Sequence, residues 1–145
     1  MKTSRRSLFA ALPALVALLV LAAPLGAETR RFGDIEVHYS VFASSFLQPE
    51  VAAAYGIVRA RDRALLNVAV RGPGGALAAK IDGTRSDLIR KDALTFREVR
   101  EDGAIYYLAE FGFVSAETLY FDLAITPEGG SSALRFEFSQ ALHAD

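Results

Sequence analysis

Three arginines, Arg59, Arg61 and Arg63, alternate along a chain that is otherwise mildly acidic, with Asp62 among them. On extended backbone, side chains two residues apart leave the same face, so the three guanidiniums would form one positive stripe. Such a stripe holds a carboxylate, a phosphate or a lipid headgroup through charge-assisted hydrogen bonds. Its plainer role is a solvated edge strand whose charge prevents pairing with another chain. Tyr55 precedes the stripe and Asn67 follows it as a polar residue in an apolar run. Tyr55, Arg59, Arg63 and Asn67 are therefore the candidate binding residues, with the tying down of a neighbouring loop as the alternative role for Asn67.

Other groupings carry less chemistry. His38 and His143 are the only histidines, whereas a histidine metal site needs two or three with carboxylate help. Ser44 and Ser45 lie near His38 in the chain, but no Gly-x-Ser-x-Gly elbow surrounds any serine. Asp82, Asp87, Asp92, Glu101 and Asp102 fall at turns or strand ends, where carboxylates are ordinarily solvated. Gly72-Pro73-Gly74-Gly75 contains a proline and leads into a strand, not into the helix that a phosphate cradle requires. No catalytic residue, metal centre or cofactor follows from these patterns, and the expected partner is another envelope protein or a small anionic ligand.

Charge and cysteine content narrow the classes further. With Lys2, Arg5 and Arg6 of the N-terminal segment set aside, 13 basic groups face 17 acidic ones, which argues against nucleic acid as a partner. The chain has no cysteine, so it has no disulfide, thiolate nucleophile or lipid-bearing thiol.

The elements that must position these residues read as strands. Ile35, Val37, Tyr39 and Val41 alternate with Glu36, His38 and Ser40, which is the rhythm of a sheet with one wet face. Leu77 to Ile81, Leu119 to Ile125 and Leu134 to Phe138 do the same. Leu65 to Arg71, Ala93 to Arg100 and Ala104 to Phe111 are further strands, the last two joined through Asp102-Gly103 as a hairpin. A phase slip between Phe96 and Val99 suggests a bulge. Gln48 to Gly56, with Pro49 in the first turn and alanines inside, predicts a two-turn helix whose Val51 and Tyr55 would cap one end of the domain. About seven short antiparallel strands with one short helix predict an all-β, immunoglobulin-like β-sandwich, with a small barrel as the alternative.

Residues 1–27 read as a cleavable signal peptide: basic Lys2, Arg5 and Arg6, an uncharged run from Leu8 to Ala23, Pro24, and a cut after Ala27. The stretch from Ser4 to Phe9 also resembles a twin-arginine signal. Residues 28–145 then form one periplasmic domain with no stable membrane span after leader cleavage.

Val37 to Phe42, followed by Ser44 to Ala52 and then Arg63 to Val68, resembles the small exported bacterial proteins of domain-of-unknown-function family 4426. The likeness continues at Phe96 to Val99, Ile105 to Tyr107 and Phe136 to Gln140, and so spans most of residues 28–145. Ser40, Ala43 and the pair Ala141-Leu142 depart from the family pattern. The resemblance implies a periplasmic β-sandwich and brings no activity, cofactor or catalytic residue. The expected function is a non-enzymatic binding or protein-interaction module. The alternatives are a cell-envelope hydrolase with residues from separate loops and a structural or chaperone-like envelope component.

Overall fold

The computed structural model describes residues 27–144, so the expected leader lies outside the described residues except for Ala27. β1 (Glu28–Phe32) and β2 (Ile35–Ala43) form a hairpin, followed by a 3-10 turn (Ser44–Phe46) and α1 (Pro49–Ala54). Then come β3 (Arg63–Gly72), β4 (Gly75–Ala76), β5 (Ala79–Ser86), β6 (Lys91–Ala93), β7 (Arg97–Glu101), β8 (Ala104–Gly112), β9 (Glu117–Pro127) and β10 (Leu134–Leu142).

One antiparallel sheet has the order β1-β2-β3-β8-β7, with β4 folded back onto β3, and the other has the order β10-β9-β5-β6. The alternating apolar residues explain why the sheets face each other. Val37, Tyr39 and Val41 of β2 and Leu66, Val68 and Val70 of β3 turn inward to meet Leu119, Phe121, Leu123 and Ile125 of β9. These four β9 side chains are no more than 1% exposed. Phe138 of β10 stacks on Phe121 at 4.8 Å between ring centroids and meets Tyr39 of the facing sheet at 4.5 Å. Gln140 Nε2 also donates to the Val41 carbonyl at 2.9 Å, tying the two sheets together. The expected β-sandwich is thus the fold, and neither sheet closes into a barrel.

Among the described residues the strands number ten, where about seven were expected. β4 and β6 are two and three residues long, and β1 is an exposed edge with little alternation to betray it. One expectation is corrected. Ala93 to Arg100 is not a single bulged strand: Ala93 pairs with Thr84 in one sheet and Arg97 pairs with Leu108 in the other. The phase slip marks the chain crossing between layers. The β7–β8 hairpin forms as expected, with Asp102 at φ 49° and Gly103 at φ 77° in the two positive-φ positions of its turn.

The helix forms over Pro49–Ala54, with Pro49 and Glu50 in its first turn. It does not cap the end of the sandwich. Ala52, Tyr55 and the following Ile57 pack on Phe42, Leu65, Leu108 and Val99, which point away from the main core. α1 therefore covers half of the outer face of the first sheet and leaves the other half bare.

Candidate ligand-binding groove

The uncovered half of that outer face is concave. Ser40 of β2 lies opposite Asn67 of β3, which lies opposite Leu108 of β8. In the next row His38 lies opposite Ala69, and Glu36 lies opposite Arg71 beyond it. Ala69, Ala76 and Ala104 are too small to fill the surface between larger neighbours. The result is a groove of about 520 Å³ whose lining includes Ser40 and Asn67 on the floor, His38 and Tyr106 along the sides and Arg71 at one end.

Several of these polar groups are held in place. His38 Nδ1 meets Thr29 Oγ1 at 2.8 Å, and its Nε2 lies 3.2 Å from Glu36, which Arg31 also contacts at 2.8 Å. Both imidazole nitrogens are therefore engaged by β1 and β2 side chains. Ser40 is buried, and Asn67 Oδ1 is fully buried without a hydrogen-bond partner. A buried carbonyl oxygen left unpaired costs about 1–3 kcal/mol, so this atom is the most expensive feature of the groove floor.

Tyr106 on the groove wall adjoins a second tyrosine and a carboxylate that lie outside the lining. Tyr55 Oη donates to Glu101 Oε2, joining the end of α1 to β7. Burial, reinforced by this carboxylate, pushes the Tyr55 phenol up to about 12. Burial also raises the Tyr106 phenol, with Glu101 raising it further and Arg71 opposing. Both phenols stay protonated at neutral pH, so Tyr106 presents an O–H to the groove.

The structure places the four expected binding residues unevenly. Asn67 lines the groove, whereas Tyr55, at the end of α1, packs with Phe42, Leu65 and Leu108 outside it. Arg59 is on the irregular stretch after α1, where its Nη2 donates to the Ser45 carbonyl at 3.0 Å. Arg63 opens β3 opposite Gly112, four residues from Asn67 and hence roughly 13 Å along the strand. Only Arg63 of the three alternating arginines is in a strand, so they do not form the regular stripe that extended backbone would give. His38, Ser40, Arg71 and Tyr106 come into the groove from β2, β3 and β8. Their sequence signal was slight: His38 and Ser40 stand on the wet face of β2.

The sequence matches DUF4426, a domain of unknown function, over residues 29–145. The chain belongs to the DUF4426 family. A crystal structure of a DUF4426 family protein from Pseudomonas aeruginosa is 41% identical to it, with a TM-score of 0.73 over 83% of this chain and 97% of that one. A copper-bound variant of FetP from uropathogenic Escherichia coli aligns with a TM-score of 0.58 at 11% identity, over 79% of this chain and 93% of that one. FetP as isolated after recombinant expression in the periplasm of Escherichia coli gives 0.51 at 14% identity, over 80% and 94%. At those identities FetP shares the fold alone. No curated protein matches the chain.

Proposed function

We propose that this DUF4426 domain is an exported, non-enzymatic binding module that holds a small polar ligand in the groove between β2, β3 and β8. The ligand carries an anionic group for Arg71 and an N–H or O–H donor for Asn67. The observation that carries this reading is the Asn67 carboxamide on the floor of an open groove, with its Oδ1 turned inward and left without a hydrogen-bond partner. A ligand donor toward which the carboxamide turns recovers the hydrogen bond the free protein forgoes, which gives the site both affinity and selectivity. Ser40 and the Tyr106 hydroxyl offer further hydrogen bonds on either side.

Export is supported by the basic and apolar pattern of the first 27 residues, with its small residue at Ala27. No helix among the described residues is long and apolar enough to cross a membrane. N-terminal sequencing of the protein from a periplasmic fraction is expected to start at Glu28.

Calorimetric titration with amino acids, hydroxy acids and small phosphates tests the groove. Binding by one class, lost in both Asn67→Leu and Arg71→Ala, is the expected result; a silent panel, or binding indifferent to both substitutions, refutes the reading. Neither Arg59 nor Arg63 lines the groove, so Arg59→Ala with Arg63→Ala is expected to leave groove binding unchanged.

A further inference from the structure

Isolated apolar side chains on a protein surface need no explanation. Here five of the large ones collect at one end of the sandwich. Phe46 and Val58 are 59% and 60% exposed on the β2–β3 connection, Val114 is 70% exposed between β8 and β9, and Leu88 and Ile89 are 82% and 92% exposed between β5 and β6. These connections share an end because Ala43 pairs with Ala64, Arg63 with Gly112, and Ser86 with Tyr120 near the start of β9.

The β5–β6 tip is built, not slack. Asp87 Oδ1 accepts the amides of Ile89 and Arg90 at 3.0 and 2.8 Å, and the Asp87 amide donates to the Arg90 carbonyl at 3.1 Å. The buried Arg85 reaches Asp87 at 3.7 Å and Asp92 at 3.3 Å. Leu88 is held at φ 75°, a left-handed conformation that strains a leucine and persists only where its surroundings enforce it. A polar frame thus fixes the backbone that carries two exposed aliphatic side chains.

Positive charge surrounds them. Exposed Arg90 and Lys91 follow Ile89 directly, and exposed Arg59, Arg61 and Arg63 line the neighbouring connection. Of the acids nearby, Asp87 and Asp92 are engaged by Arg85, and Glu117 accepts the Val114 amide at 3.3 Å. Asp62 and the exposed Glu50 lie on the same connection as Arg59 and Arg61, with Arg63 opening the next strand, which leaves a small excess of basic charge there.

We propose that this end of the domain docks on an anionic lipid surface. Leu88 and Ile89 enter the boundary between headgroups and acyl chains, while the arginines and Lys91 bind lipid phosphates. The apolar groups project from three separate connections, an arrangement that a fluid bilayer accommodates and that a folded protein would need separate pockets to receive.

The chain has no tryptophan, so one introduced residue reports its own surroundings. The test uses the protein as the producing cell processes it, with phosphatidylglycerol and phosphatidylcholine vesicles containing brominated acyl chains. Ile89→Trp is expected to shift to the blue and be quenched on phosphatidylglycerol, whereas Pro73→Trp, in the β3–β4 turn, stays unshifted. Leu88→Ser with Ile89→Ser is expected to weaken partitioning at least about tenfold. Arg59→Ala with Arg63→Ala is expected to weaken it about fivefold per charge, and salt is expected to do likewise. All these positions are exposed, and an unchanged circular dichroism spectrum verifies the fold. Two unshifted reporters overturn the proposal, including when the leader alone carries the chain to the vesicles. So does equal binding to neutral phosphatidylcholine. Capture of a protein partner that depends on Leu88 and Ile89, without any vesicle binding, overturns it in favour of a protein interface.

Discussion

Replacing Asn67 with leucine separates a residue kept for the fold from one kept for a ligand. Asn67 Oδ1 is buried and unpaired, so the folded state bears its desolvation without a compensating bond. That penalty is about 1–3 kcal/mol, and leucine, of similar length, removes it while adding apolar contact beside Leu108, the β8 residue opposite. Taking the low end, the variant gains about 1 kcal/mol. A domain of this size melts with an entropy of roughly 2 cal/mol/K per residue, so the midpoint rises by about 4 °C. Thermal unfolding followed by circular dichroism measures the gain, and the same melt with the groove ligand present measures the loss. The wild-type midpoint rises with ligand concentration, while that of Asn67→Leu does not. A midpoint several degrees below wild type would mean that the amide supports the sheet, and the case for the groove would lose its main observation.

Three further outcomes follow from the packing and the phenols. A Cβ added at Gly83 would lie 2.6 Å from Leu123 Cδ2 and 3.3 Å from both the Asp122 carbonyl and Phe96, so Gly83→Ala destabilises by about 1–3 kcal/mol in chemical denaturation. Tyr107 Oη accepts the Ala79 amide of the facing sheet at 2.8 Å and donates to Glu98 of the neighbouring strand at 3.2 Å, and Tyr107→Phe costs about 1–2 kcal/mol by the same measurement. The Tyr55 phenol is raised in the folded state, so the native chain holds that proton more tightly than the unfolded one. Its contribution is complete below the ordinary tyrosine value of 10 and is lost as pH rises from 10 toward about 12. Stability measured across that window falls less steeply in Tyr55→Phe, and an unchanged slope would show that Glu101 and burial do not act on this hydroxyl.

The sandwich was legible because its strands obey a two-residue period wherever one face is buried and the other wet. Leu119 to Ile125 shows the rule: every second side chain belongs to the core. The rule fails where neither face is simple. β3 reads as Leu65-Leu66-Asn67-Val68-Ala69-Val70, nearly apolar throughout, because its outer face is half covered by α1 and half floored by small residues. That interruption makes the groove, and it depends on where a six-residue helix lands, a tertiary fact with no local signature. The same limit explains Phe96 to Val99, where a change of sheet imitates a bulge. Tyr106, Arg71 and His38 were ordinary polar or aromatic residues until β2, β3 and β8 came side by side. The arginine pattern misled for a related reason. Alternation implies a shared face only on extended backbone, and residues 57–62 adopt no strand.

The placement of the two proposed contacts on one rigid sheet constrains both. The lipid-facing connections lie at the end where β3 begins, at Arg63, while the groove runs from Asn67 to Arg71 along the same strand. At about 3.3 Å per residue, the groove starts roughly 13 Å and ends roughly 26 Å from that end. With the loop tips in the headgroup layer and the strands directed away from the bilayer, the groove opens sideways into solvent, beyond the reach of lipids in the same membrane. Its ligand is then a soluble molecule or the side chain of a neighbouring protein, and never the headgroup that anchors the domain. The two sites are energetically separate as well, because no charged groove residue lies within a Debye length of the tip at physiological salt, about 8 Å. Vesicle binding therefore leaves groove affinity unchanged, and a ligand whose affinity changed several-fold on phosphatidylglycerol vesicles would show that the sheet does not hold the two surfaces at this distance.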